Sequence, residues 1–343
     1  MSTSPQIQRN SSIELLRIIL MVLIISFHFI GDAYGLANMT TYNYSDDTLL
    51  SKLVAHGSGI LAVPCFILLT GYYGLNFKVK KFINILLQCF TYSFILYWIL
   101  AYFNPNFSIK IATYQFFCFQ PGWWFIWCYI ILYLLSPVIN KLLNFPPPLF
   151  LLITFTIIYI QVGFWIRTQT ALTLFYILSM YVLGMGAKQY IHWNTKKLLA
   201  TLILSGLCFY GMILFSYYYD KPSIMRFVCS YYNPFVTAMC IAIVMLTMKI
   251  KFTSSIINWL SNGCLAAYLL HYEHQSGLYQ YLLHFFEGYA RFPYHKFIIY
   301  AFLIYFGAIV IEKIRSKFMS GLLFKTSAYV ETQINRYSRV ETR

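Results

Sequence analysis

Ten long apolar stretches separated by short polar ones organise the chain. They cover residues 13–31, 53–74, 82–103, 123–143, 149–166, 171–187, 198–217, 234–250, 256–286 and 297–314. A helix needs roughly 20 mostly apolar residues to cross a bilayer, and each stretch approaches or exceeds that length. The pattern predicts an all-α, polytopic membrane bundle of about ten helices, with no soluble domain between them. The ninth stretch is interrupted by "HYEHQSG", so it is expected to bend or break and to expose polar groups to an internal cavity. "NFPPPL" at 144–149 reads as a tight proline turn rather than a flexible linker.

The basic residues set an orientation. Counting from a cytoplasmic N-terminus, the inside segments hold 18 of the 25 Lys and Arg, among them Lys78, Lys80, Lys81, Lys188, Lys196, Lys197, Lys249 and Lys251. The outer segments hold Asp32, Asp46, Asp47, Asp220 and Glu287. This alternation follows the positive-inside rule and puts both termini in the cytoplasm. The domain reading is a cytoplasmic segment 1–12, a membrane domain 13–315 and a basic cytoplasmic tail 316–343. A cleaved signal peptide over 9–35 is the competing reading of the start. Glu14, Arg17 and His28 argue for a retained first helix.

Composition agrees. The 343 residues are 59% hydrophobic, 20% aromatic and only 10% charged, against about 25% charged in soluble domains. The net charge of +15 sits in clusters beside apolar spans, so it is read as topology, with no nucleic-acid partner. The eight cysteines form no C-x-x-C pair and no metal-ligand spacing. Cys118 and Cys229 fall near predicted loops on one side, where a pairing is sterically open.

The first span carries the candidate chemistry. In "RIILMVLIISFH", Arg17 and His28 lie eleven residues apart, close to three full turns, so they share a helix face while standing about 16 Å apart. Glu14 joins that face. Ionisable groups inside a span are costly and mark function or pairing. The plainer alternative is a topology anchor at Arg17 and a hydrogen-bonded core histidine at His28. An extended ligand lying along the helix satisfies both: anionic at the mouth and reactive deeper in, as an acyl-CoA is.

An Arg, ten residues and a His on the first span resemble the integral-membrane acyltransferase 3 family. "AVPCFILLTGYYGL" at 62–75, "GWWFIWCYIILYLLSPVIN" at 122–140 and "LSNGCLAAYLLHYEH" at 260–274 resemble its second-helix, Trp-rich and late His-bearing segments. The resemblance runs from about residue 11 to 315. It implies transfer of an acyl group, in the first instance acetyl, from acyl-CoA to a sugar hydroxyl. The acceptor is then a cell-surface polysaccharide or its lipid-linked precursor, and the setting the bacterial cytoplasmic (inner) membrane. Acetyl-CoA or another acyl-CoA is the donor substrate, with no resident cofactor and no metal. Many relatives carry two arginines after the second helix where this chain has "KVKK", and lysine lacks the bidentate fork for phosphate.

On this reading His28 is the general base or the acyl carrier. His271 lies about fifteen residues into its span, as His28 does, which puts the two at similar depth. Glu273 orients an imidazole or balances Arg17. Arg17, Lys78, Lys80 and Lys81 bind CoA phosphates, although positive-inside anchoring also accounts for the lysines. Gly71 and Tyr72 are counted with the donor-binding residues, through close helix approach at their turn. Trp123, Trp124 and His56 are read as interfacial residues, and loop 32–52 as a solvated connector or an acceptor entrance. The rivals are a transporter or flippase of lipid-linked glycans, which calls for paired broken helices, a glycan polymerase and a receptor-like binding protein.

Overall fold

The computed structural model describes residues 9–36, 41–100, 107–117, 121–168, 173–274, 277–289 and 295–340. Among them helices alternate with turns and there are no strands.

Helix α1 (Ser11–Ala33) starts where the Asn10 side chain accepts a hydrogen bond from the Ser12 backbone N–H. It is the hub of the bundle. It packs against α2 (Leu49–Gly59), α3 (Ala62–Tyr73), α12 (Pro234–Lys249), α13 (Ser255–Ser261), α14 (Cys264–His271), α15 (Leu278–Tyr289) and α16 (His295–Val340). Between these lie α4 (Val79–Phe90), a π-helical turn over Thr91–Ile95, α5 (Leu96–Leu100), α6 (Ile109–Phe116), α7 (Trp124–Ile139), α8 (Pro147–Thr168), α9 (Thr173–Tyr190), α10 (Thr195–Tyr218) and α11 (Pro222–Val228).

Among the described residues, six helical segments are long and apolar enough to cross a membrane: Ser11–Ala33, Leu49–Tyr73, Val79–Leu100, Trp124–Asn144, Thr195–Tyr218 and Lys296–Gln333. The chain is therefore a multi-pass membrane protein. The ninth apolar stretch is not one continuous span. It is divided into α13, α14 and α15 by Asn262–Gly263 and by the "HYEHQSG" segment. Eight-residue α14 rises only about 12 Å, so its polar C-terminal end lies inside the protein. Broken backbone at that depth is tolerated where protein groups satisfy it, and here the Tyr279 N–H donates to the Glu273 carbonyl at 2.9 Å. The last span also runs further than its apolar core: α16 is continuous for 46 residues, about 69 Å, more than twice a hydrocarbon core.

Within a bilayer, helix association depends on close packing and interhelical hydrogen bonds rather than on the hydrophobic effect. Both are visible. Gly71 of α3 lies against the Tyr181 backbone of α9, and Gly184 of α9 lies against the Leu68 carbonyl of α3, so neither position has room for a Cβ. The Glu312 carboxylate on α16 accepts from Gln88 Nε2 at 3.0 Å, from Tyr92 Oη at 2.7 Å, and from Arg315 through Nε and Nη2, both at 2.7 Å. This half-buried charge is therefore fully partnered, and it ties α4 to α16 beside the π-turn.

Candidate active site

His28 lies on α1 and His271 ends α14. The break after α14 brings the two imidazoles together, ring centroids 5.2 Å apart. His271 is fully buried. Its Nδ1 lies 2.8 Å from the Ala267 carbonyl. A carbonyl only accepts, so in the neutral ring the proton sits on Nδ1 and Nε2 carries the free lone pair. That Nε2 is buried without a hydrogen-bond partner, and so is Nδ1 of His28. Two histidines from different helices, one fully buried and one half-buried, thus meet inside the bundle, and this meeting marks the candidate site.

Aromatic side chains hold the pair. The Tyr272 ring packs edge-on to His28 with centroids at 4.0 Å. Gly122 lies so close to Tyr272 that an added Cβ would come within 2.6 Å of its ring. The turn at 121–123 is tied to α14 by Trp123 Nε1 donating to the Leu269 carbonyl at 3.2 Å and by Tyr268 Oη donating to the Gly122 carbonyl at 3.3 Å. Trp123 is therefore not an interface-belt residue. It is fully buried, because the short 3-10 turn Pro121–Trp123 directs the indole inward, where its N–H finds a carbonyl. Trp124 stays half-buried and faces Tyr231 at 5.9 Å.

His56 is likewise not interfacial. It is 3% exposed, stacks on Phe27 at 4.2 Å, and donates from Nδ1 to the Phe27 carbonyl at 3.1 Å. Beyond the histidines, away from Arg17, Tyr279 donates to Asp32 Oδ2 at 2.5 Å, and its ring meets Tyr272 and His274. Sequence reasoning passed over Tyr272 and Tyr279. The crowding of His, Tyr and Glu within "HYEH" was the available signal.

Glu273 is fully buried two residues beyond His271. It does not balance Arg17. The carboxylate on Arg17 is Glu14, at 3.3 Å, and Glu14 also pairs with Arg9 at 3.2 Å. The i,i+3 spacing makes Glu14 the local partner, while Arg17 and His28 remain about 16 Å apart along α1. The Arg17 side chain is 38% exposed, so its guanidinium can take a second anion.

Lys81 Nζ lies 5.5 Å from the centroid of the Tyr133 ring. Lys78, Lys80 and Lys81 are exposed on and just before the first turn of α4. The loop that presents them is fixed from three sides. Tyr181 Oη accepts from the Leu75 N–H at 2.8 Å, Asn140 Nδ2 donates to the Leu75 carbonyl at 2.9 Å, and Tyr133 Oη accepts from the Lys78 N–H at 2.9 Å. The contact of Gly71 with the Tyr181 backbone is the close helix approach expected at this turn. Tyr72 faces Lys188, whose Nζ is 6.0 Å from its ring centroid.

Asp46, just before the second span, pairs with Lys52 in its first turn at 2.6 Å. Burial pushes its carboxyl upward, but hydrogen bonds from Lys52 and Thr48 outweigh that and hold it below the usual carboxylate value. Cys229 keeps a free thiol, pushed up to about 12 by burial. Cys118 lies outside the described residues. No cluster of three or more metal-ligating side chains occurs among the described residues.

A family model described as an acyltransferase domain, the third of that name, matches residues 10–312. No curated protein and no solved structure matches the chain.

Proposed function

The chain belongs to the acyltransferase 3 family, and from that premise we propose that it moves an acyl group, acetyl in the first instance, from cytoplasmic acyl-CoA to a sugar hydroxyl of a surface polysaccharide or its lipid-linked precursor. Membership makes it an acyltransferase and displaces the transporter, polymerase and receptor readings. One observation carries the rest: His28, on the face of α1 that holds Arg17, meets His271 of α14 with ring centroids 5.2 Å apart.

In the proposed reaction the CoA phosphates lie at the end of α1 that carries Arg17, with Lys78, Lys80 and Lys81 adding attraction. The pantetheine arm follows α1, and a span of about 16 Å brings the thioester to His28. An imidazole nitrogen takes the proton from the acceptor hydroxyl as its oxygen attacks the thioester carbon. The C–S bond then breaks, and the CoA thiolate leaves and is protonated. In the covalent variant, His28 itself first accepts the acyl group. The His271 Nε2 lone pair stands where it can receive a hydroxyl proton or orient the acceptor. Glu273, fully buried two residues beyond His271, is assigned the role of orienting an imidazole. This scheme places the basic face and both termini in the cytoplasm of a bacterium, with the ten apolar stretches crossing or re-entering the inner membrane.

The test is glycan mass spectrometry on a host deleted for this gene and complemented with wild type or His28→Ala at equal membrane abundance. Wild type restores the acyl mass increment and His28→Ala does not. A glycan whose amount or length changes, with no acyl difference, overturns the reading.

A further inference from the structure

A second basic recess opens on the same face, one helix away from Arg17. It has a volume of about 350 Å³ and lies between the C-terminal ends of α3, α9 and α12. Lys188 and Lys249 bring cations to it from two helices. His192 adds an imidazole, Tyr72 and Trp193 add aromatic faces, and no carboxylate lines it. Trp193 is 41% exposed. A membrane-belt role accounts for that indole alone, but not for its gathering with two ammonium groups around a cavity. Helix α10 begins two residues after Trp193, so the positive end of a 24-residue helix adds to the field at this rim.

Cations beside flat aromatic groups suit a ligand that joins phosphate to a planar ring. Phosphate is held by lysine as a point charge, and bases stack on Trp and Tyr. The α12 wall of the recess is tied to the Arg17 end of α1. Ser12 Oγ donates to the Ile250 carbonyl at 2.8 Å, beside Lys249. Tyr73 Oη donates to the sulfur of Met248, a residue of the recess wall, at 3.3 Å.

Resting on the acyl-CoA reading above, we infer that this recess takes the phosphoadenosine end of the donor, with Lys188 and Lys249 on phosphate and Trp193 against the base. Arg17 and Lys81 are then left for the pyrophosphate.

The test uses the full chain in phosphatidylcholine nanodiscs, with and without phosphatidylglycerol, and measures calorimetric binding of CoA and of adenosine 3′,5′-bisphosphate. Wild type binds both, and each displaces the other. K188Q/K249Q weakens both by about ten- to a hundredfold, the loss expected for removing charge-assisted contacts. K188R/K249R restores them, which separates lost charge from lost folding. If K188Q/K249Q binds the nucleotide as tightly as wild type, the recess is not the nucleotide site. If the double variant changes only retention of phosphatidylglycerol, the recess holds a lipid headgroup and the inference fails. If CoA binds but the bisphosphate does not, this inference alone falls. If CoA itself does not bind wild type, the acyl-CoA reading falls with it.

Discussion

The imidazole of His56 lies flat on the ring of Phe27, centroids 4.2 Å apart and planes within 8°, and its Nδ1 reaches the Phe27 carbonyl at 3.1 Å. That carbonyl immediately precedes His28. A histidine on α2 thus fixes the α1 backbone at the residue before the proposed catalytic group. His56→Phe keeps an aromatic ring but removes the N–H donor. The expected cost is about 1 kcal/mol of stability, that of one hydrogen bond, read as a lowered thermal-unfolding midpoint in detergent. Displacing His28 slightly is expected to cost more in rate, up to about a hundredfold. A drop in kcat with KM for acyl-CoA unchanged is the signature of positioning. Unchanged turnover would show that His56 only packs.

Gly71 separates packing from ligand contact. Its Cα touches the Tyr181 backbone, and a Cβ there meets a carbonyl that cannot move without shifting α9. Gly71→Ala is expected to lose about 1–3 kcal/mol through overpacking, seen as a lower unfolding midpoint and lower membrane yield. The KM for acyl-CoA of the protein that does fold stays within about twofold of wild type, a change well under the energy of one hydrogen bond. A selective rise in KM would place Gly71 at the donor site.

Sequence pattern was enough for the parts of this molecule that depend on local spacing. The length of α1, the shared face of Glu14, Arg17 and His28, and the break within "HYEHQSG" all follow from helical periodicity and from the cost of charge in hydrocarbon. Trp123 and His56 were misplaced because hydropathy near a span end does not say whether a side chain turns towards lipid or into the bundle. That choice is made by partners distant in sequence: the Leu269 carbonyl for Trp123 and the Phe27 carbonyl for His56. The basic recess was illegible for the same reason, since Tyr72, Lys188 and Lys249 converge only through the packing of α3, α9 and α12.

The Asp46–Lys52 pair clamps the exit of α1, because Lys52 also lies over the Tyr34 ring at 3.8 Å. The Asp46 carboxyl is held below its ordinary value of 3.8 in the folded chain. A depressed carboxylate contributes stability that is fully present above its unfolded pKa and is lost as pH falls through the folded one. The unfolding midpoint of wild type should therefore drop as pH is lowered past 3.8, relative to Asp46→Asn. The difference is less than about 1 kcal/mol for a pair this near the surface. Parallel pH curves for the two proteins would show that the pair contributes nothing.

His28 and His271 lie 5.2 Å apart by ring centroids, so their contributions to catalysis should not be independent. Removing a general base typically costs about 10²–10⁴-fold. Two residues at separate tasks would give losses that multiply, whereas residues that act as a unit give a double variant little worse than the worse single one. The expected result is the second: His28→Ala and His271→Ala each abolish most transfer, and the double variant loses less than about tenfold more. His271→Gln refines the assignment. It keeps a polar amide at the end of α14 but has no basic lone pair, so it should fold as wild type does while transferring no faster than His271→Ala. Multiplying losses in the double variant, or near-normal transfer by His271→Gln, would assign His271 to holding the broken helix and leave His28 to act alone.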